Sequence, residues 1–227
     1  MSEFFNETIP SFFFDNIFSS DFFVSIDAAI YGFVDKIASP ALDGIFEFIT
    51  HLGDTPGIIW FILGIILLIP KKTRKLGILM FAGLAFSSLM TNVIFKNLLD
   101  RPRPYEDVIA PIWEAIGYKY EWPGILAEKS TSFSFPSGHT TSSVGAAFAL
   151  LLGCRKKYLA IGIPAFILSL AIGFSRIYVK IHYPTDVIAG LIVGVLSAVV
   201  IYFVFDLLVF KKAIPALERK INKKIID

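Results

Sequence analysis

The chain has 227 residues, of which 55% are hydrophobic and only 18% are charged. Soluble domains carry about 25% charged residues, so this composition indicates an integral membrane protein. The formal net charge of +2 is too small to predict nucleic acid as a partner. A single cysteine excludes an internal disulfide and a cysteine-based metal cluster.

The N-terminal part, residues 1–54, mixes apolar and acidic positions. Apolar residues such as Ile30 and Phe33 recur at helical spacing in the range 24–37, and Asp27 lies on another face of that pattern. An acidic residue costs about 2.5–3.5 kcal/mol near the centre of a bilayer. We therefore predict amphipathic helices that lie at the membrane interface. The alternative is that this part forms a poorly hydrophobic crossing of its own, a sixth beside the five described next.

Five uncharged apolar stretches follow, and with their polar flanks each is long enough for a helix that crosses a bilayer. They are Thr55–Pro70, Leu76–Phe95, Thr140–Cys154, Tyr158–Ser175 and Val187–Phe205. The predicted fold is an all-α integral membrane protein, with a bundle of five transmembrane helices in residues 55–210. The interfacial helices precede this core, and a basic tail at residues 211–227 follows it.

The basic residues predict the orientation of the bundle. Alternating crossings place the tail and the connections at residues 71–75 and 155–157 on one face of the membrane. That face holds 13 of the 21 Lys and Arg residues, which makes it cytoplasmic by the positive-inside rule. The long loop 100–136 and the connection 176–186 then lie on the extracytoplasmic side. We expect a multi-pass protein of a bacterial-type plasma membrane.

Three polar clusters lie at helix ends on the predicted outer face. The first runs from Lys96 to Pro104, the second is Pro136-Ser137-Gly138-His139, and the third runs from Ser175 to Asp186. Lys96, Arg103 and Arg176 supply three cations, and Arg forks match phosphate oxygens in pairs. Ser137 and Gly138 begin a helix whose free backbone N–H groups also favour an anion. Together these residues predict a phosphate-binding pocket.

Two histidines in these clusters predict the chemistry. His182 precedes Asp186 by one helical turn, so the carboxylate can accept the Nδ1–H and leave Nε2 free to attack phosphorus. His139, at the start of a helix, can protonate the leaving lipid oxygen. The cations counter the charge on the transferred phosphoryl group. The sequence therefore predicts a phosphatase that forms a phosphohistidine and needs neither a metal nor another cofactor.

The order and spacing of the three clusters resemble a known family. The patterns K-x(6)-R-P, P-S-G-H and S-R-x(5)-H-x(3)-D are similar to the three signatures of the type 2 phosphatidic acid phosphatase superfamily. The resemblance covers about residues 50–205 and implies a metal-independent lipid phosphatase, typically with a six-helix core. It implies His182 as the nucleophile, Asp186 as its partner and His139 as the acid. The phosphate-binding positions that it implies are Lys96, Arg103, Ser137, Gly138, Arg176 and Ser175.

The motifs contact only the phosphate, so they leave the lipid open. We expect a lipid phosphate or diphosphate from the surrounding membrane. Undecaprenyl diphosphate is favoured because a small, outward-facing protein in a wide apolar setting suits a long polyprenyl tail, and phosphatidylglycerophosphate or phosphatidic acid come next. Two alternatives remain, a lipid phosphotransferase that uses the same site and a non-enzymatic transporter of a phosphorylated solute. The sequence does not indicate the oligomeric state.

Some residues outside the signatures allow two interpretations. Asp100 and Arg101 belong either to a loop salt bridge or to the rim of the substrate site. Gly190 and Gly194 favour packing within the bundle over a dimer face. The aromatic residues of loop 100–136 suit an interfacial belt, and a lid over the lipid is the alternative.

Overall fold

The computed structural model describes residues 14–54, 57–126 and 130–205. Within these ranges the chain forms helices joined by loops, and no strand is present among them. The helices are α1 (Asp21–Ile37), α2 (Pro40–Leu52), α3 (Ile58–Leu68), α4 (Arg74–Leu99), α5 (Ala110–Ala115), α6 (Gly138–Gly153), α7 (Leu159–Tyr178) and α8 (Pro184–Tyr202). The predicted basic tail at residues 211–227 lies outside the described residues.

All five predicted apolar helices are present, as α3, α4, α6, α7 and α8. Within the part of the chain that the structure describes, three segments are long and apolar enough to cross a membrane: Arg74–Leu99, Lys156–Tyr178 and Pro184–Phe205. The other two are shorter, because α3 has 11 residues and α6 has 16. At about 1.5 Å per residue they measure roughly 16 and 24 Å. Among the described residues, neither α1 nor α2 reaches the length and hydropathy of a crossing.

Helix α6 lies at the centre of the bundle, where it contacts α4, α7 and α8. Small residues on α8 allow this close approach. A Cβ on Gly190 would lie 2.9 Å from the carbonyl oxygen of Ser137, and a Cβ on Gly194 would lie 2.8 Å from that of Thr141. These distances are shorter than normal contacts, so the glycine pair serves packing within the bundle, as predicted.

The buried face of α1 differs from the prediction. Val24, Asp27, Tyr31 and Val34 point into the protein, whereas Phe33, which belongs to the expected apolar stripe, is 54% exposed. An acidic residue on a buried face needs a partner, because an unpaired buried charge is strongly unfavourable. The partner of Asp27 comes from the loop that follows α4.

The two ends of the bundle differ in chemistry. At one end, Lys72 and Lys75 from the first basic connection line a cleft together with Arg155 and Lys157 from the second. The hydroxyl of Tyr158 also donates to the carbonyl oxygen of Lys72 at 3.4 Å. The two basic connections therefore lie side by side, as alternating crossings require. The three polar clusters lie at the opposite ends of the same helices.

Candidate active site

Residues from all three polar clusters line one cavity of about 930 Å³. Its polar wall contains Lys96, Arg103, Gly138, His139, Arg176 and His182. Its apolar wall includes Phe61 from α3 together with Phe81 and Leu84 from α4. The cavity therefore joins a cationic end, suited to phosphate, to an apolar flank, suited to a hydrocarbon chain.

The neighbours of His182 define its tautomer. Nη1 of Arg103 lies 3.0 Å from Nε2 of His182. A guanidinium can only donate, so Nε2 bears the lone pair and Nδ1 bears the proton. On the other side of the ring, Nδ1 lies 3.4 Å from Oδ2 of Asp186 and 3.4 Å from Oγ of Ser134. The nitrogen that bears the lone pair is thus the one beside the cations.

Burial and charge keep His182 neutral. The side chain is 2% exposed. Burial lowers the pKa of His182 well below its ordinary value of 6.5, and the charges of Arg103 and Arg176 lower it further. A neutral imidazole is the nucleophilic form, so this environment favours attack by Nε2 at neutral pH.

Asp186 is fully buried behind His182 at the start of α8. The chain folds this way because Pro184 suits the first turn of a helix and Asp186, at the third position, accepts the backbone N–H of Tyr183 at 3.2 Å. Oδ2 also accepts the hydroxyl of Ser134. Oδ1 accepts Nη1 of Arg101 at 2.6 Å. These contacts orient the carboxylate towards His182.

Serines from the loop before α6 hold the cations Lys96 and Arg103. Nε of Arg103 donates to the carbonyl oxygen of Ser132 at 2.7 Å, and Nη2 donates to the hydroxyls of Ser130 and Ser132, each at 3.0 Å. Nζ of Lys96 donates to Oγ of Ser132 at 3.1 Å. These serines belong to none of the three signatures and were not predicted as site residues. The available signal was a serine-rich stretch directly before the P-S-G-H motif.

Arg176 has an unused donor. Its side chain is buried, and Nη1 donates to Oγ1 of Thr50 at 2.5 Å. Its Nε finds no hydrogen-bond partner among the described residues. A buried donor left unsatisfied costs about 1–3 kcal/mol. A phosphate oxygen in the cavity would satisfy it.

His139 contacts a carboxylate that the signatures do not include. Nε2 of His139 lies 2.9 Å from Oδ1 of Asp54, and Nδ1 of His51 lies 2.6 Å from Oδ2. The hydrogen bond from His139, with a second from His51, lowers the pKa of Asp54 to about 2, although burial acts in the opposite direction. An ionised carboxylate only accepts, so Nε2 of His139 carries a proton. The predicted acid therefore holds its proton on the nitrogen nearest Asp54.

Two of the predicted phosphate-binding residues lie behind the cavity wall. Oγ of Ser137 accepts the hydroxyl of Thr140 at 2.9 Å, and Oγ of Ser175 donates to the carbonyl oxygen of Ile172 at 2.6 Å. Both serines are fully buried, and the cavity lining does not include them. In this structure their hydroxyls stabilise the ends of α6 and α7, whereas Gly138 does line the cavity.

Arg101 forms a buried ion-pair cluster instead of the rim of the site. It is 2% exposed and pairs with Asp27 at 2.9 Å and with Asp186 at 2.6 Å. Asp100 ends α4 in the left-handed conformation, with φ of 39°. Neither residue lines the cavity. Arg101 therefore forms a salt bridge and does not belong to the rim of the substrate site. The bridge lies in the interior of the protein and includes Asp186, the partner of His182.

Comparison with known proteins assigns the family. Residues 76–209 match the model of the PAP2 superfamily, and the chain therefore belongs to that family. The undecaprenyl-diphosphatase of Sulfolobus acidocaldarius is 28% identical over 171 residues, which cover 75% of this chain and 74% of that protein. Undecaprenyl-diphosphatase BcrC of Bacillus subtilis is 32% identical over 162 residues, with 69% and 72% covered.

A solved structure shares the fold. The crystal structure of a transmembrane PAP2-type phosphatidylglycerolphosphate phosphatase from Bacillus subtilis superposes with a TM-score of 0.64 at 22% identity. The match covers 90% of this chain and 98% of that chain. The predicted family and the predicted all-α membrane fold are therefore confirmed. The protein is a multi-pass membrane phosphatase that acts on a lipid.

Proposed function

We propose that this protein removes phosphate from its lipid through a phosphohistidine formed on His182, and that no metal takes part. The observation that carries the proposal is the tautomer of His182. Its Nε2 faces a guanidinium that only donates, while Nδ1 faces Asp186. A transporter that merely binds phosphate has no use for an imidazole fixed with its lone pair beside the cations.

In the first half-reaction, the phosphoryl group lies among Lys96, Arg103 and Arg176, and the lipid chain follows the apolar wall. Nε2 of His182 attacks phosphorus in line, and the P–O bond to the lipid breaks. His139, as the imidazolium, gives its other ring proton, on Nδ1, to the leaving oxygen, while Nε2–H stays hydrogen-bonded to Asp54. As the P–N bond forms, Arg103 transfers its hydrogen bond from Nε2 to a phosphoryl oxygen.

In the second half-reaction, water replaces the lipid product. The neutral His139 takes a proton from this water, whose oxygen attacks phosphorus, and the P–N bond breaks. Inorganic phosphate leaves, and both histidines return to their starting states. Asp54 lies within hydrogen-bonding distance of His139, where its negative charge stabilises the imidazolium formed in this step.

For the substrate, we favour undecaprenyl diphosphate, followed by phosphatidylglycerophosphate and phosphatidic acid. Two of the similar proteins are undecaprenyl-diphosphatases. The wide cavity, with Phe61, Phe81 and Leu84 on its apolar side, suits a long polyprenyl chain. The three positive charges of Lys96, Arg103 and Arg176 at the cationic end also suit the higher charge of a diphosphate.

The test is phosphate release by purified protein in detergent, with the three lipids compared in excess chelator and with His182→Ala as the control variant. Release that survives the chelator and is absent in the variant supports the metal-free phosphohistidine route. Release that the chelator abolishes excludes the metal-free route. Transfer of phosphate to an added lipid acceptor, without free phosphate, identifies a phosphotransferase. No turnover in either assay by folded protein favours the transporter.

We also propose that the site opens on the extracytoplasmic side, because the basic connections lie at the other end of the bundle.

Cysteine labelling tests this orientation. A background variant, Cys154→Ser, removes the only cysteine of the chain. Lys119→Cys then reports on the site end, where the native side chain is 88% exposed, and Lys156→Cys reports on the opposite end. In intact cells, an impermeant thiol reagent should label only the cysteine at 119. Labelling of the cysteine at 156 alone would reverse the orientation.

A further inference from the structure

Asp27, on the N-terminal helix α1, is fully buried and has no part in the mechanism above. Its Oδ1 accepts the backbone N–H of Thr185 at 2.8 Å. Its Oδ2 accepts the hydroxyl of Thr185 at 2.9 Å and Nη2 of Arg101 at 2.9 Å. Among the described residues, the hydrogen bonds of this carboxylate are thus all with Arg101 or with the residue next to Asp186.

Arg101 joins Asp27 to Asp186. Its Nη1 donates to Oδ1 of Asp186 at 2.6 Å and to the hydroxyl of Thr185 at 2.8 Å. The guanidinium also lies over the ring of Tyr183, 3.6 Å from its centroid. One planar group therefore bridges two buried carboxylates, and the aromatic ring fixes the plane in which it can do so.

A second contact from α1 reaches the nucleophile itself. The hydroxyl of Tyr31, one helical turn after Asp27, donates to the carbonyl oxygen of His182 at 2.9 Å. Tyr31 is fully buried. Helix α1 thus contacts His182 directly through Tyr31 and indirectly through Asp27, Arg101 and Asp186.

We propose that α1 is part of the active site, in which Asp27 and Arg101 are positioning residues that hold Asp186 against His182. This inference rests on the proposed function, because it concerns the orientation of the proposed nucleophile. The chain of contacts is continuous: Asp27 fixes the Arg101 fork, the fork fixes one oxygen of Asp186, and the other oxygen faces Nδ1 of His182.

The charges explain why both residues are needed. Burial raises the pKa of Asp27 from 3.8 to about 6, against the opposing effect of Arg101, so the carboxylate is ionised at neutral pH. A buried ion of either sign is stable only when it is paired and hydrogen-bonded. Without Asp27, the guanidinium would be free to turn towards Asp186 alone. Lysine in place of Arg101 would bring a single charged group that cannot bridge both carboxylates in the same plane.

The experiment compares two variants with matched controls in the full-length protein. Asp27→Asn and Arg101→Lys alter the cluster. Asp21→Asn changes an exposed carboxylate on the same helix, and Arg155→Lys changes an exposed arginine at the other end of the bundle. Groups that orient a metal-binding histidine or carboxylate from behind contribute about 10–100-fold, and we take the same scale for Asp27 and Arg101. We expect kcat to fall by about that factor in the two cluster variants and to stay unchanged in the controls.

Two further readouts separate the positioning of Asp186 from an effect on phosphate binding. The KM and the inhibition constant of inorganic phosphate depend on the cavity cations, which these variants leave in place. Both constants should therefore change by less than about 3-fold, which corresponds to less than 1 kcal/mol. The variant Tyr31→Phe removes only a hydroxyl and tests α1 if the charged variants do not fold. Its kcat per folded molecule should also fall. In the same assay, wild-type protein and His182→Ala report on the proposed function.

The outcomes are distinct. This inference is overturned if Asp27→Asn and Arg101→Lys fold and keep the wild-type kcat. If those two variants do not fold, it is overturned if Tyr31→Phe folds and keeps the wild-type kcat. The inference is also overturned if KM and phosphate inhibition weaken as much as kcat falls, because the residues would then act on binding. If wild-type protein releases no phosphate, or His182→Ala remains active, the proposed function fails first.

Discussion

Replacing Asp186 with asparagine should reverse the tautomer of His182. The carboxylate now accepts hydrogen bonds from Arg101, Ser134 and the backbone of Tyr183. In Asp186→Asn, the amide oxygen must face the donor-only Arg101, so the NH2 group turns towards the other partners. Nδ1 of His182 then has to accept, and the ring proton moves to Nε2, where the lone pair for attack is lost.

The expected reduction in kcat follows from the loss of the lone pair on Nε2 of His182. A nucleophile without its lone pair must first change tautomer, and Nε2–H would also face Nη1 of Arg103, now 3.0 Å away. In serine proteases, the equivalent Asp→Asn change reduces kcat by about 10⁴. We expect a similar reduction here, which corresponds to about 5.4 kcal/mol in the activation free energy.

The assay is the single-turnover rate of phosphate release at neutral pH by folded variant in detergent. Asp43→Asn is the control, because Asp43 accepts a hydrogen bond from Tyr178 at 2.7 Å but does not line the cavity. This control should keep the wild-type rate. A rate for Asp186→Asn within about 10-fold of wild type, less than 1.4 kcal/mol, would refute the tautomer argument.

Three further predictions concern other parts of the structure. Asp54→Asn should lower kcat by about 10-fold, because the imidazolium of His139 loses its counter-charge. This is less than the roughly 10²–10⁴-fold that general acid–base catalysis contributes, since His139 itself is kept, and an unchanged rate would show that Asp54 plays no part. His182 has a folded pKa below 6.5, so the unfolded chain takes up the proton first and the melting temperature should fall as pH drops below 6.5. This fall should be smaller in His182→Gln, and an identical pH profile would contradict it. Gly190→Ala places a Cβ 2.9 Å from a carbonyl oxygen, whereas Gly44→Ala meets nothing within 4 Å. The first should lower the melting temperature, at a cost of about 1–3 kcal/mol, and the second should not.

The sequence was sufficient for the parts of the fold that depend on local patterns. Long apolar runs located α4, α7 and α8, and the three signatures located the cavity. Two histidines and three cations came together because the alternating crossings bring one end of each helix to the same side. None of this required knowledge of a contact between distant residues.

The contacts that the sequence did not reveal are long-range. In the sequence alone, Asp27 fits the polar face of an amphipathic helix. Its partner Arg101 is 74 residues away along the chain, so no local pattern connects the two. The serines that hold Lys96 and Arg103 come from a loop without periodic structure, so their positions depend on the fold of the whole loop. Ser175 matched a signature, but its hydroxyl bonds to its own helix. A motif gives the residue and not the direction of its side chain.

The apolar wall of the cavity determines which concentration of substrate matters. Phe61 stacks edge-on with Phe81 at 5.5 Å between ring centroids, and Phe61 itself is 48% exposed on the outer side of α3. Ile62, Ile65 and Ile66 extend this outer surface. A substrate chain along this wall passes from the cavity to the surrounding lipid without crossing water. The rate of the enzyme should therefore follow the mole fraction of substrate in the bilayer or micelle, and added inert detergent should slow it at constant bulk concentration.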